Sequence, residues 1–129
     1  MKNRIIPLES GEQQALFQWA RLMEGRYPEL WLMYAIPNGG ARNKATAGRL
    51  KAEGVKPGVP DICLPVARNG FHSLYIELKR IDGGRVSDEQ ADWIDLLQRQ
   101  GNKAIVCRGS TAATEAMEEY LKPEDDTPF

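Results

Sequence analysis

Polar and apolar positions alternate along Leu74–Lys79, with Leu74, Ile76 and Leu78 on one parity and Tyr75, Glu77 and Lys79 on the other. Period two marks a strand that lays one face on a core. The stretch opening at Asp61 reads as a second strand, and Asn69-Gly70 between the two is a strong turn signal, so the pair predicts a β-hairpin. Elsewhere the period lengthens. Leu16, Trp19, Ala20 and Met23 recur at helical spacing, which predicts a helix over Ser10–Met23, capped by Ser10 and stopped at Gly25. Trp31–Ile36 is a continuous apolar run and reads as a buried strand, ended by Pro37-Asn38-Gly39-Gly40.

A helix is predicted over Arg42–Glu53, stopped at Gly54, and Lys56–Pro60 is a rigid turn that delivers Asp61 to the next strand. Beyond the hairpin, Asp82-Gly83-Gly84 breaks the chain. Ser87 then caps a helix with Gln90 as its capping-box partner, and Ala91, Trp93, Ile94 and Leu97 form the apolar side up to Gly101. Lys103–Cys107 is a short buried strand. A last helix over Thr111–Leu121 carries Ala112, Ala116, Met117 and Tyr120, and Pro123 ends it. The order helix, strand, helix, strand, strand, helix, strand, helix predicts an α/β sandwich: a small mixed sheet, one hairpin, and helices against its faces.

A length of 129 residues with 42% hydrophobic content suits one domain with a real core. We place that domain at residues 1–122 and read 123–129 as an acidic, flexible tail. The run Leu30–Ile36 is far too short to cross a bilayer, and no charged-then-apolar leader opens the chain, which predicts an intracellular protein without membrane contact. Cys63 and Cys107 fall inside predicted strands as small buried hydrophobes, and no zinc spacing exists. The net charge of −1 hides an asymmetry. Arg42, Lys44, Arg49, Lys51 and Lys56 face only Glu53 in the segment 38–58, whereas from Glu115 onward six acids face only Lys122. The body of the chain is therefore basic, and its basic segment is either a solvated helix face or a phosphate-binding surface.

The hairpin carries the candidate chemistry. Folding the Asp61 strand back along the Glu77 strand lets two carboxylates converge, with Lys79 on the Glu77 face; that set suits a hard divalent cation and a phosphodiester. The competing reading is an ordinary Glu77–Lys79 surface ion pair. Glu12 is either a first-turn acid favoured by the helix dipole or a residue aimed at the site. Gln90 is either a cap or a substrate contact. Gly39 and Gly40 either make a turn or let the backbone approach a ligand. Tyr34 and Trp93 are expected in the core, and His72, in or beside the hairpin turn, has no catalytic role.

Pro60-Asp61 followed by Glu77-Leu78-Lys79, with 15 residues between the two acids, resembles the PD-(D/E)XK nuclease signature. The words around it narrow the match. Pro37-Asn38-Gly39-Gly40, the Gly54–Asp61 run GVKPGVPD, the Tyr75–Lys79 run YIELK, and Ser87, Gln90 and Trp93 in S-x-x-Q-x-x-W together resemble the VRR-NUC family, in the family's order and over about residues 10–121. The match is to stand-alone phage and bacterial members. The resemblance implies a restriction-endonuclease-like fold and metal-dependent phosphodiester hydrolysis by a homodimer acting on branched DNA, including four-way (Holliday) junctions, in the cytoplasm of a bacterial or phage-infected cell. It implies Asp61 and Glu77 as metal ligands with Glu12 completing the environment, Lys79 as the catalytic lysine, and Gln90 near the scissile phosphate or supporting the site.

Mg²⁺ is the expected ion, with Mn²⁺ able to substitute and the Leu78 carbonyl as a further oxygen ligand. Asn38, Gly39, Gly40, Arg42, Lys44, Arg49, Lys51, Lys56 and Arg80 are the expected DNA contacts. No base-reading helix is evident, so the expectation is recognition of shape rather than sequence. A flap or single-strand nuclease with the same site is the nearest alternative, and a DNA-binding module without catalysis the next.

Overall fold

The computed structural model describes residues 9–37 and 43–123. Helix α1 spans Glu9–Leu22 and is followed by a 3₁₀ helix at Pro28–Leu32 and a two-residue strand β1, Tyr34–Ala35. Then come α2 (Lys44–Ala52), β2 (Ile62–Leu64), β3 (Leu74–Lys79), α3 (Asp88–Arg99), β4 (Lys103–Arg108) and α4 (Ser110–Leu121). The strands form one four-stranded sheet in the order β1-β2-β3-β4. β1 with β2 and β2 with β3 are antiparallel, while β3 with β4 is parallel. This is the expected mixed α/β sheet with one hairpin and helices against it. At the hairpin tip Asn69 and Gly70 take φ of 53° and 83°, the positive values that a tight two-residue turn demands.

Alternation along β3 sorts the two faces. Leu74, Ile76 and Leu78 join Ile62 and Leu64 of β2 and Cys107 of β4 in the core, closed by Leu16 and Ala20 of α1 and by Ala113, Met117, Tyr120 and Leu121 of α4. The Tyr120 hydroxyl, buried with that cluster, donates to the Val66 carbonyl and so is itself paired. Glu77 and Lys79 point to the opposite face, under α3. Buried side chains therefore line both sides of the C-terminal end of β3. Both cysteines are free and buried, as expected.

The apolar run after Gly25 behaves differently from the buried strand that its composition predicts. Pro28 opens a 3₁₀ helix, and the residues it buries are Leu30 and Met33, three apart, the period of that helix rather than of a strand. Trp31 is left 75% exposed. Tyr34, expected in the core, lies on the edge strand and is 49% exposed. In α3, Trp93, Ile94 and Leu97 are half-buried, but Ala91 is exposed and no residue of the helix is fully buried. α2 starts at Lys44 because Asn43 caps it, its side chain accepting from Thr46 N at 2.8 Å, and it too buries nothing. Among the described residues, no helix is long and apolar enough to cross a membrane.

Candidate active site

The turn before Asp61 is shaped by contact with α3. Gly58 adopts φ +86°, and a side chain there would lie 2.9 Å from backbone and Cβ atoms of Glu89, so only glycine lets the turn pass α3 this closely. Trp93 fixes the same turn by donating its indole N–H to the Pro57 carbonyl at 3.1 Å. Pro60 is fully buried, and the Asp61 carbonyl accepts from Ile36 N at 2.7 Å, continuing the β1–β2 ladder by one residue. The Asp61 carboxylate then reaches across to β3, where Oδ2 accepts from Leu78 N at 2.8 Å.

That places two carboxylates together. Glu77 is 1% exposed, and its pKa is pushed from 4.5 up to about 8, first by burial and then by the charge and contact of Asp61, with Lys79 pulling it back. When both acids are ionised neither has a proton to share, and Glu77 Oε1 is a buried oxygen without a hydrogen-bond partner. Glu77 Oε2 is served by Gln90 Nε2 at 3.2 Å and by Lys79 Nζ at 3.6 Å.

Gln90 forms the cap, and its amide also bonds Lys79 and Glu77. Its N–H donates to Ser87 Oγ at 3.1 Å and its Oε1 accepts from Ser87 N at 2.9 Å, a reciprocal capping box. The same Oε1 accepts from Lys79 Nζ at 2.9 Å. One amide thus spans the acid and the lysine while starting α3, and Lys79, 5% exposed, is held by two polar partners instead of reaching for solvent.

Glu12 arrives at the same end of β3 from α1. It is 6% exposed, and its Oε2 accepts from Ser110 N at 3.1 Å, at the start of α4. Gly109 makes room for it: a side chain there would lie 2.8 Å from that oxygen, and Gly109 N donates to the Lys79 carbonyl at 2.9 Å. α4 has no side-chain cap of its own, so the Glu12 carboxylate serves as one from 98 residues away. Asp61, Glu77, Leu78, Lys79 and Gln90 are therefore linked through a chain of contacts centred on Glu77, with Glu12 engaged at the neighbouring helix start. Among the described residues no three acids, histidines or cysteines are gathered as a ready-made metal cage.

A cleft of about 620 Å³ has Asp61 in its wall and runs along Gln13, Gln14, Phe17 and Arg21 of α1 to Ile36 and Pro37. Lys44, Arg49, Lys51 and Lys56 are exposed, and Arg80 is half-buried just beyond the lysine. Asn38, Gly39, Gly40 and Arg42 lie outside the described residues. Sequence reading missed Arg108 and Gly109 at the site's rim. A strand-end arginine and a glycine before a helix carry no local signal of what they touch across the fold.

The family model of the VRR-NUC domain matches residues 4–111. The chain belongs to the VRR-NUC domain family. A solved structure described as a VRR_NUC domain protein superposes on it with a TM-score of 0.77 at 26% identity, covering 92% of this chain and 91% of that one. No curated protein matches it. The family is of nuclease type, and the words that carry the resemblance, from GVKPGVPD to S-x-x-Q-x-x-W, are the segments that meet around Asp61 and Gln90 in this VRR-NUC domain.

Proposed function

We propose that this VRR-NUC domain is a divalent-metal-dependent DNA endonuclease that cuts branched DNA, four-way junctions foremost, as a homodimer in the cytoplasm. The observation that carries the reading is the unpartnered buried oxygen of Glu77 beside Asp61 and Lys79. Two carboxylates pressed together, one with an orphaned oxygen, repel each other unless protonated or bridged by a cation, and all their donors are hard oxygens suited to Mg²⁺ or Mn²⁺. Asp61, Glu77 and the Leu78 carbonyl would hold the ion, with Glu12 at the border of the site. When bound, it polarises the phosphate and acidifies a water.

The chain's own residues supply the rest. Lys79 brings a positive charge to the phosphate as negative charge builds there, and Gln90 Oε1 keeps that ammonium from collapsing wholly onto Glu77. Gln90 Nε2 fixes the rotamer of Glu77, and Leu78 N fixes that of Asp61. Lys44, Arg49, Lys51, Lys56 and Arg80 position the duplex through its phosphates without reading sequence. Two copies related by a two-fold axis would set paired sites across a junction.

The test is cleavage of labelled four-way junction, 5′ flap, single-stranded and plain duplex DNA in Mg²⁺ or Mn²⁺, with Asp61→Ala and Lys79→Ala alongside. Paired symmetric cuts in the junction that vanish in both variants are expected. Preference for flaps or single strands would discard the junction and keep the nuclease. Binding with no variant-sensitive cutting would leave a DNA-binding module.

A further inference from the structure

The loop that follows Lys79, residues 80–86, has a fixed shape. Arg108, paired with Lys79 across β3 and β4, donates from Nη1 to the carbonyls of Gly83 at 2.7 Å and Arg80 at 3.3 Å, and from Nη2 to that of Gly84 at 3.0 Å. Gly83 and Gly84 take φ of 77° and 65°, and a side chain on Gly83 would lie 2.7 Å from Arg80 Nη2. A guanidinium that satisfies several backbone carbonyls at once locks a loop far better than its own short sequence would.

What this loop displays is Ile81. The side chain leans on Gly109, where Glu12 also arrives, yet 54% of the residue stays in solvent. Arg80 precedes it and Arg85 follows four residues on in the same loop, Arg108 holds the carbonyls of Arg80, Gly83 and Gly84 on either side of it, and Asp82 is the loop's one acid. The core gains little from an isoleucine at this rim. An apolar tip on an arginine-bearing loop is, however, an arrangement that can part stacked bases while flanking phosphates are held.

We propose that Ile81 is a wedge that enters the DNA substrate at its branch point, with Arg80 and Arg85 on the flanking phosphates. The proposal rests on the nuclease reading and names the element that selects the substrate. Nucleic acid is the occupant because the loop carries Arg80 and Arg85 against the single acid Asp82 and follows Lys79 of the Glu77–Lys79 site directly in the chain. A branch point is the place in DNA where stacking is already interrupted, so the wedge opposes the least stacking energy there.

The test is the fluorescence of 2-aminopurine placed at the branch point of a four-way junction and saturated with Lys79→Ala protein in calcium, a readout that needs no cleavage. A rise in fluorescence is expected, lost when Ile81→Ala is added and reduced when Arg108→Met releases the loop. An equal rise with and without the isoleucine side chain, or no rise and no binding, overturns the proposal. Failure of the wild-type protein to cut any DNA overturns the nuclease reading instead and leaves the fluorescence result standing.

Discussion

On one face of the sheet, α1 and α4 close a dry cluster in which Leu16, Ala113 and Met117 are fully buried. On the other, α3 buries no residue completely, and Val106 of β4 beneath it remains 37% exposed. The first face is held by apolar area, which is forgiving of direction. The second is held by directed polar bonds: the capping box, the Trp93–Pro57 bond and the Gln90 bridge. Apolar packing and the candidate site are thereby divided between the faces. Each polar bond on the α3 side adds little to folding, but each sets an angle or a distance in the site.

Glu77→Gln should break that division most visibly. The ordinary carboxyl titrates near 4.5 and the folded one near 8, so between these values the native state holds a proton that the unfolded chain has released. The stability that Glu77 contributes to the metal-free protein is then fullest below about 4.5 and is lost as pH rises through about 8. Thermal melting against pH should show this fall, Mg²⁺ should oppose it at the alkaline end by binding the ionised native form, and Glu77→Gln should flatten it while abolishing cleavage. An unchanged slope in the variant would place the sensitive group elsewhere.

Met117→Ala sharpens the comparison from the opposite face. Removing a fully buried side chain should lower unfolding free energy by about 2–5 kcal/mol in urea titration while cleavage per folded molecule stays near normal. Gln90→Ala should do the reverse, with cleavage down roughly 10–100-fold, as for partners that orient metal ligands, and a stability loss of only about 1 kcal/mol. Smallest of all, Ser87→Ala should lose about 1 kcal/mol in melting with a milder effect on cleavage, because Gln90 keeps its contacts to Glu77 and Lys79. Equal cleavage by Gln90→Ala and wild type would dissolve the division.

Much of the fold was legible because its signals are local. Alternation along Leu74–Lys79, Asn69-Gly70 and the Ser87–Gln90 box each settle an element within a few residues, and all appear where expected. The buried strand at Trp31–Ile36 was not, because an unbroken apolar run has no period; Pro28 decided for a 3₁₀ turn, and an edge position left Tyr34 in solvent. The pairing of Asp61 with Glu77 followed from the hairpin. That Glu12 meets Ser110, that Gly58 passes under Glu89 and that Arg108 holds the next loop depend on chain crossings with no trace in neighbouring residues. Gln90 read as ambiguous because one amide both caps α3 and bonds Glu77 and Lys79.

The shared oxygen of Gln90 also has a consequence in time. First turns of helices fray far more often than whole domains unfold, with opening energies well below the global value. Here one acceptor atom, Gln90 Oε1, serves both the first turn of α3 and the lysine. A fraying event there would take one of the two polar partners from Lys79 and return it on reclosing, within a molecule that stays folded. On warming, cleavage should fade before the core melts.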